Sequence, residues 1–105
     1  MSWRQVMGVD DLWIGEMRAE TVEGRPVLLV NVEGQIRAFE DRCAHQGIPL
    51  SRGRLLAGVL TCAAHEWQYD VATGRCLNPC GVALRAFAVE VRGGNIWVDI
   101  SHGQR

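Results

Sequence analysis

The stretch "LRAFAVEVRGGNIWVDI", Leu84–Ile100, decides the fold. Phe87, Val89 and Val91 alternate with small or polar residues, Gly93-Gly94 punctuates, and Ile96, Val98 and Ile100 alternate again. A period of two on both sides of a Gly-Gly pair predicts a β-hairpin with one apolar face. The same grammar recurs upstream. "RPVLLVNV" (Arg25–Val32) predicts a strand, "EGQ" a turn, and "IRAFED" (Ile36–Asp41) its return strand. Shorter strands are expected at Val59–Cys62 and Glu66–Val71. "VDDLWIGEM" predicts one helical turn capped by Asp10. No long amphipathic helix is present in the pattern. The reading is an all-β domain, a sandwich or small barrel.

Composition narrows the class. The 105 residues are enough for one domain, and 48% hydrophobic content supports a single core. No apolar run approaches the ~18 residues of a membrane span. The opening "MSWRQVMGVDD" lacks a basic flank followed by an apolar stretch, so no secretory signal is read there. A cytoplasmic protein is expected, and in that compartment four cysteines read as ligands or free thiols, not as disulfides. The net charge is −1, and every one of the 11 basic residues is Arg. No basic stripe suited to nucleic acid appears. Residues 1–50 hold 8 acids and 5 bases (−3), and residues 51–105 hold 4 and 6 (+2), an asymmetry able to orient a protein partner.

The chemistry-bearing residues lie between the strands. "DRCAHQGIPLS" (Asp41–Ser51) carries Cys43 and His45, and "LTCAAHEWQYD" (Leu60–Asp70) carries Cys62 and His65. Sixteen residues separate the two pairs, giving C-x-H-x16-C-x2-H. Both pairs fall in turns beside strands, where a rigid scaffold usually holds function. Two thiolates and two imidazoles would suit a tetrahedral zinc ion, but structural zinc sites usually pair like with like. One Cys and one His in each loop fits a two-iron cluster better. Cys43 and Cys62 would bind one iron, His45 and His65 the other, and the cluster would staple the loops together.

On these residues, "CAH" and "CAAH", the chain resembles Rieske 2Fe–2S proteins, in which two His replace two Cys on one iron. "NPC" at Asn78–Cys80 is similar to the proline loop that covers the cluster in that family. The resemblance implies an antiparallel β-sandwich base with a smaller cluster-binding subdomain of two loops. Residues 1–105 would be one such domain, with the cluster loops at about 42–82 inserted in the base. Respiratory Rieske domains join the two loops by a disulfide at positions that are Ile48 and Ala64 here, so that bridge is absent. "CAHQ", "CAAHEWQYD" and "WRQVMGVDDLWIGEM" are most similar to ferredoxins of toluene-type multicomponent monooxygenases. That likeness implies a monomeric carrier of single electrons, not an enzyme, working between an NADH-dependent flavin/iron–sulfur reductase and a diiron hydroxylase. The ferredoxin of a ring-hydroxylating dioxygenase is the nearest alternative. A structural zinc or non-redox binding domain is the alternative of another class.

The likeness also assigns roles. Tyr69 is placed to donate its hydroxyl to a cysteine sulfur, and Pro79 to cover the cluster. Trp67 stands where respiratory relatives carry a hydrogen-bonding Ser, which together with the missing disulfide puts the potential near the low end of the Rieske range, roughly −150 to +300 mV. Gln46, Gly47, Pro49, Glu66 and Trp67 are expected to rim one face that docks both partners in turn. Cys76 and Cys80 read as free thiols in a loop, His102 as part of a disordered terminus, and Trp3, Trp13 and Trp97 as core or edge packing. Arg42, Arg52 and Arg54 flank the first loop, where they serve docking or simple solvation.

Overall fold

The computed structural model of the protein describes residues 3–42, 48–63, 67–78 and 84–104. Among the described residues ten strands follow one another: β1 Trp3–Gly8, β2 Met17–Val22, β3 Arg25–Val32, β4 Gln35–Glu40, β5 Arg54–Leu56, β6 Val59–Thr61, β7 Gln68–Asp70, β8 Arg75–Asn78, β9 Ala86–Arg92 and β10 Asn95–Gln104. Two short 3-10 turns, Val9–Asp11 and Leu50–Arg52, are the helical elements among the described residues. All strand pairs are antiparallel. They form a six-stranded sheet in the order β1-β10-β9-β4-β3-β2 and a four-stranded sheet in the order β5-β6-β7-β8. The smaller sheet is an insertion between two neighbours of the larger one, β4 and β9.

The hairpins form where the alternation places them. Ile96, Val98 and Ile100 are buried, and Phe87 with them. Val91 pairs with Ile96, yet is 50% exposed while Ile96 is fully buried in the core. β3 explains its own composition. Val27 and Leu29 join Ile36, Ala38, Phe87 and Val98 in one core cluster. Leu28 and Val30 join Phe39, Leu60, Tyr69 and Val71 in the other. A strand covered on both faces reads as an unbroken apolar run. The expected single core is therefore two cores, one on each side of β3–β4, and the second is where the inserted sheet attaches.

Several expectations need correction. The helical turn begins at Val9 with Gly8 as its cap residue, and Asp10 lies inside it without capping. β10 continues to Gln104 by shifting register between Asp99 and Gly103, so the backbone at 102 is strand and not a frayed end. The bulge gives Arg25 a use, because its guanidinium donates to the Ile100 carbonyl (3.1 Å) and to Glu40 (3.0 Å). Trp13 is 72% exposed and packs in neither core. Trp3 lies on the edge strand β1 and Trp97 on its inner neighbour β10, with Arg92 stacked over both rings at 4.9 and 5.4 Å.

The β3–β4 turn carries avoidable strain. Glu33 has φ 54° and Gly34 φ 90°. Both are left-handed, as a two-residue hairpin turn of the primed type requires. A Glu pays a steric cost there that Asn largely escapes. Glu33→Asn is expected to stabilise the folded protein by about 1 kcal/mol, read as a raised urea midpoint. An unchanged or lowered midpoint would show that the turn is not strained.

Candidate metal centre

The site is built at one end of the small sheet. Arg54 pairs with Thr61, Thr61 with Gln68, and Gln68 with Asn78. In an antiparallel sheet this row holds the first residue of β5, the last of β6, the first of β7 and the last of β8. The chain therefore enters from the first loop, turns through the second and leaves into the "NPC" segment at one edge. Sequence far apart is brought together by strand pairing alone.

Hydrogen bonds close the bases of these loops. Asp41, 6% exposed, accepts the Ser51 amide at 2.8 Å on one carboxylate oxygen and the Ser51 hydroxyl at 2.7 Å on the other. That clasp ties the start of the first loop to its end. Asp41 is itself fixed by its amide donating to the Pro26 carbonyl. The 3-10 turn Leu50–Arg52 follows, and Gly53 then lies flat against the Thr61 backbone. The second loop is closed by the Cys62 amide donating to the Trp67 carbonyl at 2.7 Å. The third segment leaves after Asn78 and returns at Leu84, whose amide donates to the Gly74 carbonyl at 2.9 Å. Two charge-assisted bonds to a buried carboxylate make the Asp41 clasp a strong one. Asp41→Ala is expected to cost about 1–3 kcal/mol and to speed hydrogen exchange at Ser51–Gly53. Asp41→Asn, which keeps an acceptor for the Ser51 amide, should recover most of that protection. Equal exchange in the Ala variant and the parent would remove the clasp from the account.

Of the four expected ligands, Cys62 lies within the described residues. It is 1% exposed, in no disulfide, and packed with Leu28, Leu50, Leu60 and Tyr69. It follows the last residue of β6, at the loop end of the sheet. Cys43, His45 and His65 lie outside the described residues, as do Gln46, Gly47, Glu66, Pro79 and Cys80. The segments carrying them are bounded by the anchors just described. Tyr69 is fully buried on β7, opposite Leu60 and Cys76. Trp67 and Pro49 are half-buried beside the loop bases, and Trp67 packs against the second core. Arg42, Arg52 and Arg54 are exposed. Cys76 is not in a loop: it is a half-buried residue of β8 facing the second core.

The donor chemistry fits a 2Fe–2S centre with mixed ligands. A buried thiol stands at the loop end, both Cys/His-bearing segments are clamped there, and each brings one sulfur and one nitrogen donor. The clasp at Asp41–Ser51 and the amide bond at Cys62–Trp67 were missed by sequence reasoning. An Asp and a Ser bracketing the first loop were the available signal.

The Rieske [2Fe-2S] domain family matches residues 2–88. The chain is 45% identical over 94 residues to the ferredoxin component of the alkene monooxygenase system of Xanthobacter autotrophicus, covering 89% of this chain and 77% of that protein. Among solved structures, the ferredoxin of carbazole 1,9a-dioxygenase from Nocardioides aromaticivorans IC177 superposes with a TM-score of 0.84 at 30% identity, covering 93% of this chain and 97% of that one. A chain of matching length in the complex of reduced oxygenase and oxidized ferredoxin in carbazole 1,9a-dioxygenase gives 0.83 at 35% identity, covering 91% of each. The chain belongs to the Rieske [2Fe–2S] family. Within it, this protein is an electron-carrying ferredoxin with one Rieske-type cluster, a component of a multicomponent oxygenase and not its catalyst. No helix among the described residues is long and apolar enough to cross a membrane.

Proposed function

We propose that Cys43, His45, Cys62 and His65 ligate the cluster, and that the protein carries single electrons from an NADH-dependent flavin reductase to the diiron hydroxylase of a monooxygenase. The observation that carries this reading is the row Arg54–Thr61–Gln68–Asn78, which directs both Cys/His segments to one end of the sheet. Bound there, a Rieske cluster supplies a one-electron couple, raised above the four-cysteine type because two neutral imidazoles replace two thiolates. The protein's own residues do the rest. Asp41 and Ser51 hold the first segment, the Cys62–Trp67 bond holds the second, and the second core under them keeps water from the sulfur side.

The whole chain acts as one domain, with residues about 42–82 as the cluster-binding insertion, and works as a monomer in the cytoplasm. Gln46, Gly47, Pro49, Glu66 and Trp67 rim the docking end, with Pro79 over the cluster. Trp67 is half-buried there and offers a flat amphipathic anchor of the kind favoured at interface centres. A second reading, service to a ring-hydroxylating dioxygenase, is supported by the likeness to the carbazole dioxygenase ferredoxins. NADH-driven turnover with purified reductase and each class of oxygenase decides between them. Hydroxylated product with the diiron enzyme alone supports the first reading, and cis-diol formation with the dioxygenase alone replaces it.

Tyr69 is completely buried, and a buried phenol needs a partner for its hydroxyl. A hydroxyl donating to a cluster-bound sulfur favours the more negative, reduced form. Tyr69→Phe should therefore lower the reduction potential with the visible spectrum retained. Voltammetry showing no downward shift would assign Tyr69 to packing.

A further inference from the structure

Two of the largest apolar exposures on the molecule are neighbours in the segment between β1 and β2, away from the loop end: Trp13 at 72% and Ile14 at 70%. Ile14 lines a cavity of about 220 Å³ with Leu55, Ala57, Val32 and Glu33. This place is remote from the cluster end by both sheets. It lies at the β3–β4 turn, the far end of β4 from Asp41, about 20 Å along a six-residue strand. In the small sheet it lies at the Ala57-Gly58 turn, opposite the row that begins at Arg54. Exposed apolar side chains scattered singly need no explanation, but a cluster around a concavity marks an interaction site.

The aromatic is held out, not left loose. The Trp13 indole donates to the Asp10 carbonyl at 3.0 Å, and the Trp13 amide donates to the Glu16 carboxylate at 2.7 Å. The Glu16 amide returns to the Trp13 carbonyl at 2.9 Å. Gly15 and Glu16 are tied to Asn31, whose side chain donates to the Leu12 carbonyl. The single polar group of the indole is thus satisfied within the loop, and the ring presents apolar surface in a fixed pose. Fixed Trp side chains are the usual centres of protein interfaces, since little ordering entropy is lost on binding.

The rim is acidic. Asp10, Asp11, Glu16 and Glu33 are all exposed around the patch, and Arg18 is bonded back to the Asp11 carbonyl. Four carboxylates facing four more across a two-fold axis disfavour a second copy of this chain. They suit a basic surface with an apolar centre. We infer that this face is a second docking site, and that it holds a basic, apolar-centred surface of the oxygenase component, an inference that rests on the function proposed above. Reduction of O2 to a hydroxyl group and water takes two external electrons and two protons. A carrier of single electrons must therefore serve each turnover twice. A contact that stays bound to the oxygenase while the loop end meets the reductase keeps the carrier at high effective concentration near its acceptor.

The test uses the cluster-loaded full chain with the oxygenase and reductase components. Trp13→Ser combined with Ile14→Ser, and separately Asp11→Lys, are compared with the parent. Each should raise the Kd and KM for the oxygenase about tenfold or more. The saturating rate, the reduction potential and the affinity for reductase should stay unchanged, and the parent's affinity should fall with added salt. Unchanged oxygenase affinity in both variants overturns the proposal. So does a loss confined to the reductase, or a parent that sediments as a dimer dispersed by Trp13→Ser. A parent that passes no electrons to any oxygenase overturns the proposed function and this inference with it, whereas normal transfer with unaffected variants overturns this inference alone.

Discussion

Cys62→Ser is expected to yield a colourless protein with less than about a tenth of the parent's iron and with both loop bases loosened. Cys62 is 1% exposed at the end of β6, and its amide closes the second loop on Trp67. If it were only a small apolar side chain in the second core, Cys62→Ala would cost on the order of 1–2 kcal/mol and leave colour and iron untouched. As a ligand it joins, through the cluster, two segments whose bases hydrogen bonds already hold. Its loss then removes a link between sequence-distant loops, and hydrogen exchange should rise at Ser51–Gly53 as well as at Cys62–Ala63. The larger sheet, whose core is separate, should keep its β-type circular dichroism. Full iron content in Cys62→Ala would withdraw this residue from the cluster.

Gly53→Ala should be nearly as damaging without touching a ligand. Its φ of −83° is open to any residue, so the reason for Gly is space and not conformation. A methyl group there would run into the Thr61 carbonyl oxygen and stand 3.2 Å from the Leu50 carbonyl. Both are backbone atoms, and neither can swing aside. The two segments that approach here are the return of the first loop and the strand that delivers Cys62. Pushing them apart is expected to cost about 3 kcal/mol or more and to abolish cluster uptake. Gly24→Ala is the comparison. Gly24 has φ 80° with nothing within 4 Å, so it should cost only about 1–2 kcal/mol of backbone strain and keep its iron. If Gly53→Ala loads iron as well as Gly24→Ala does, the close approach is not needed for the site.

What could be read in the sequence follows from which forces act locally. Alternation exposed β3, β4, β9 and β10, because each turns one or both faces to a core. β2, "MRAETV", was invisible: it is an edge strand with polar residues facing water, and its evidence is its pairing with β3. β8, "RCLN", is short and is interrupted at Leu77 by a register shift opposite Gln68–Tyr69, which is why Cys76 looked like a loop thiol. The extension of β10 past Ile100 depends on a bulge that no local pattern announces. Trp13 misled for a different reason. Its size suggests burial, while local hydrogen bonds to Asp10 and Glu16 hold it outside.

The site divides the same way. The ligand set is a spacing, and spacings are legible in one dimension. The Asp41–Ser51 clasp, the contact of Gly53 with Thr61 and the apolar face around Ile14 and Leu55 join residues that only folding brings close. The clasp and the close contact make the spacing work. Without clamped loop bases, four donors on two long loops would lose more conformational entropy on closing around a metal.

The proposed site has two histidines and two cysteines holding one 2Fe–2S cluster at the loop end of the small sheet. Pulsed EPR on the dithionite-reduced protein, grown with 15N-histidine, tests it most directly. Strong hyperfine coupling is expected from two directly bonded histidine nitrogens, with the coupling from one of them lost in His65→Cys if that variant still assembles a cluster, and no signal at all before reduction. A reduced spectrum without coupled histidine nitrogen, or a colourless protein that holds zinc and gives no signal, would contradict it.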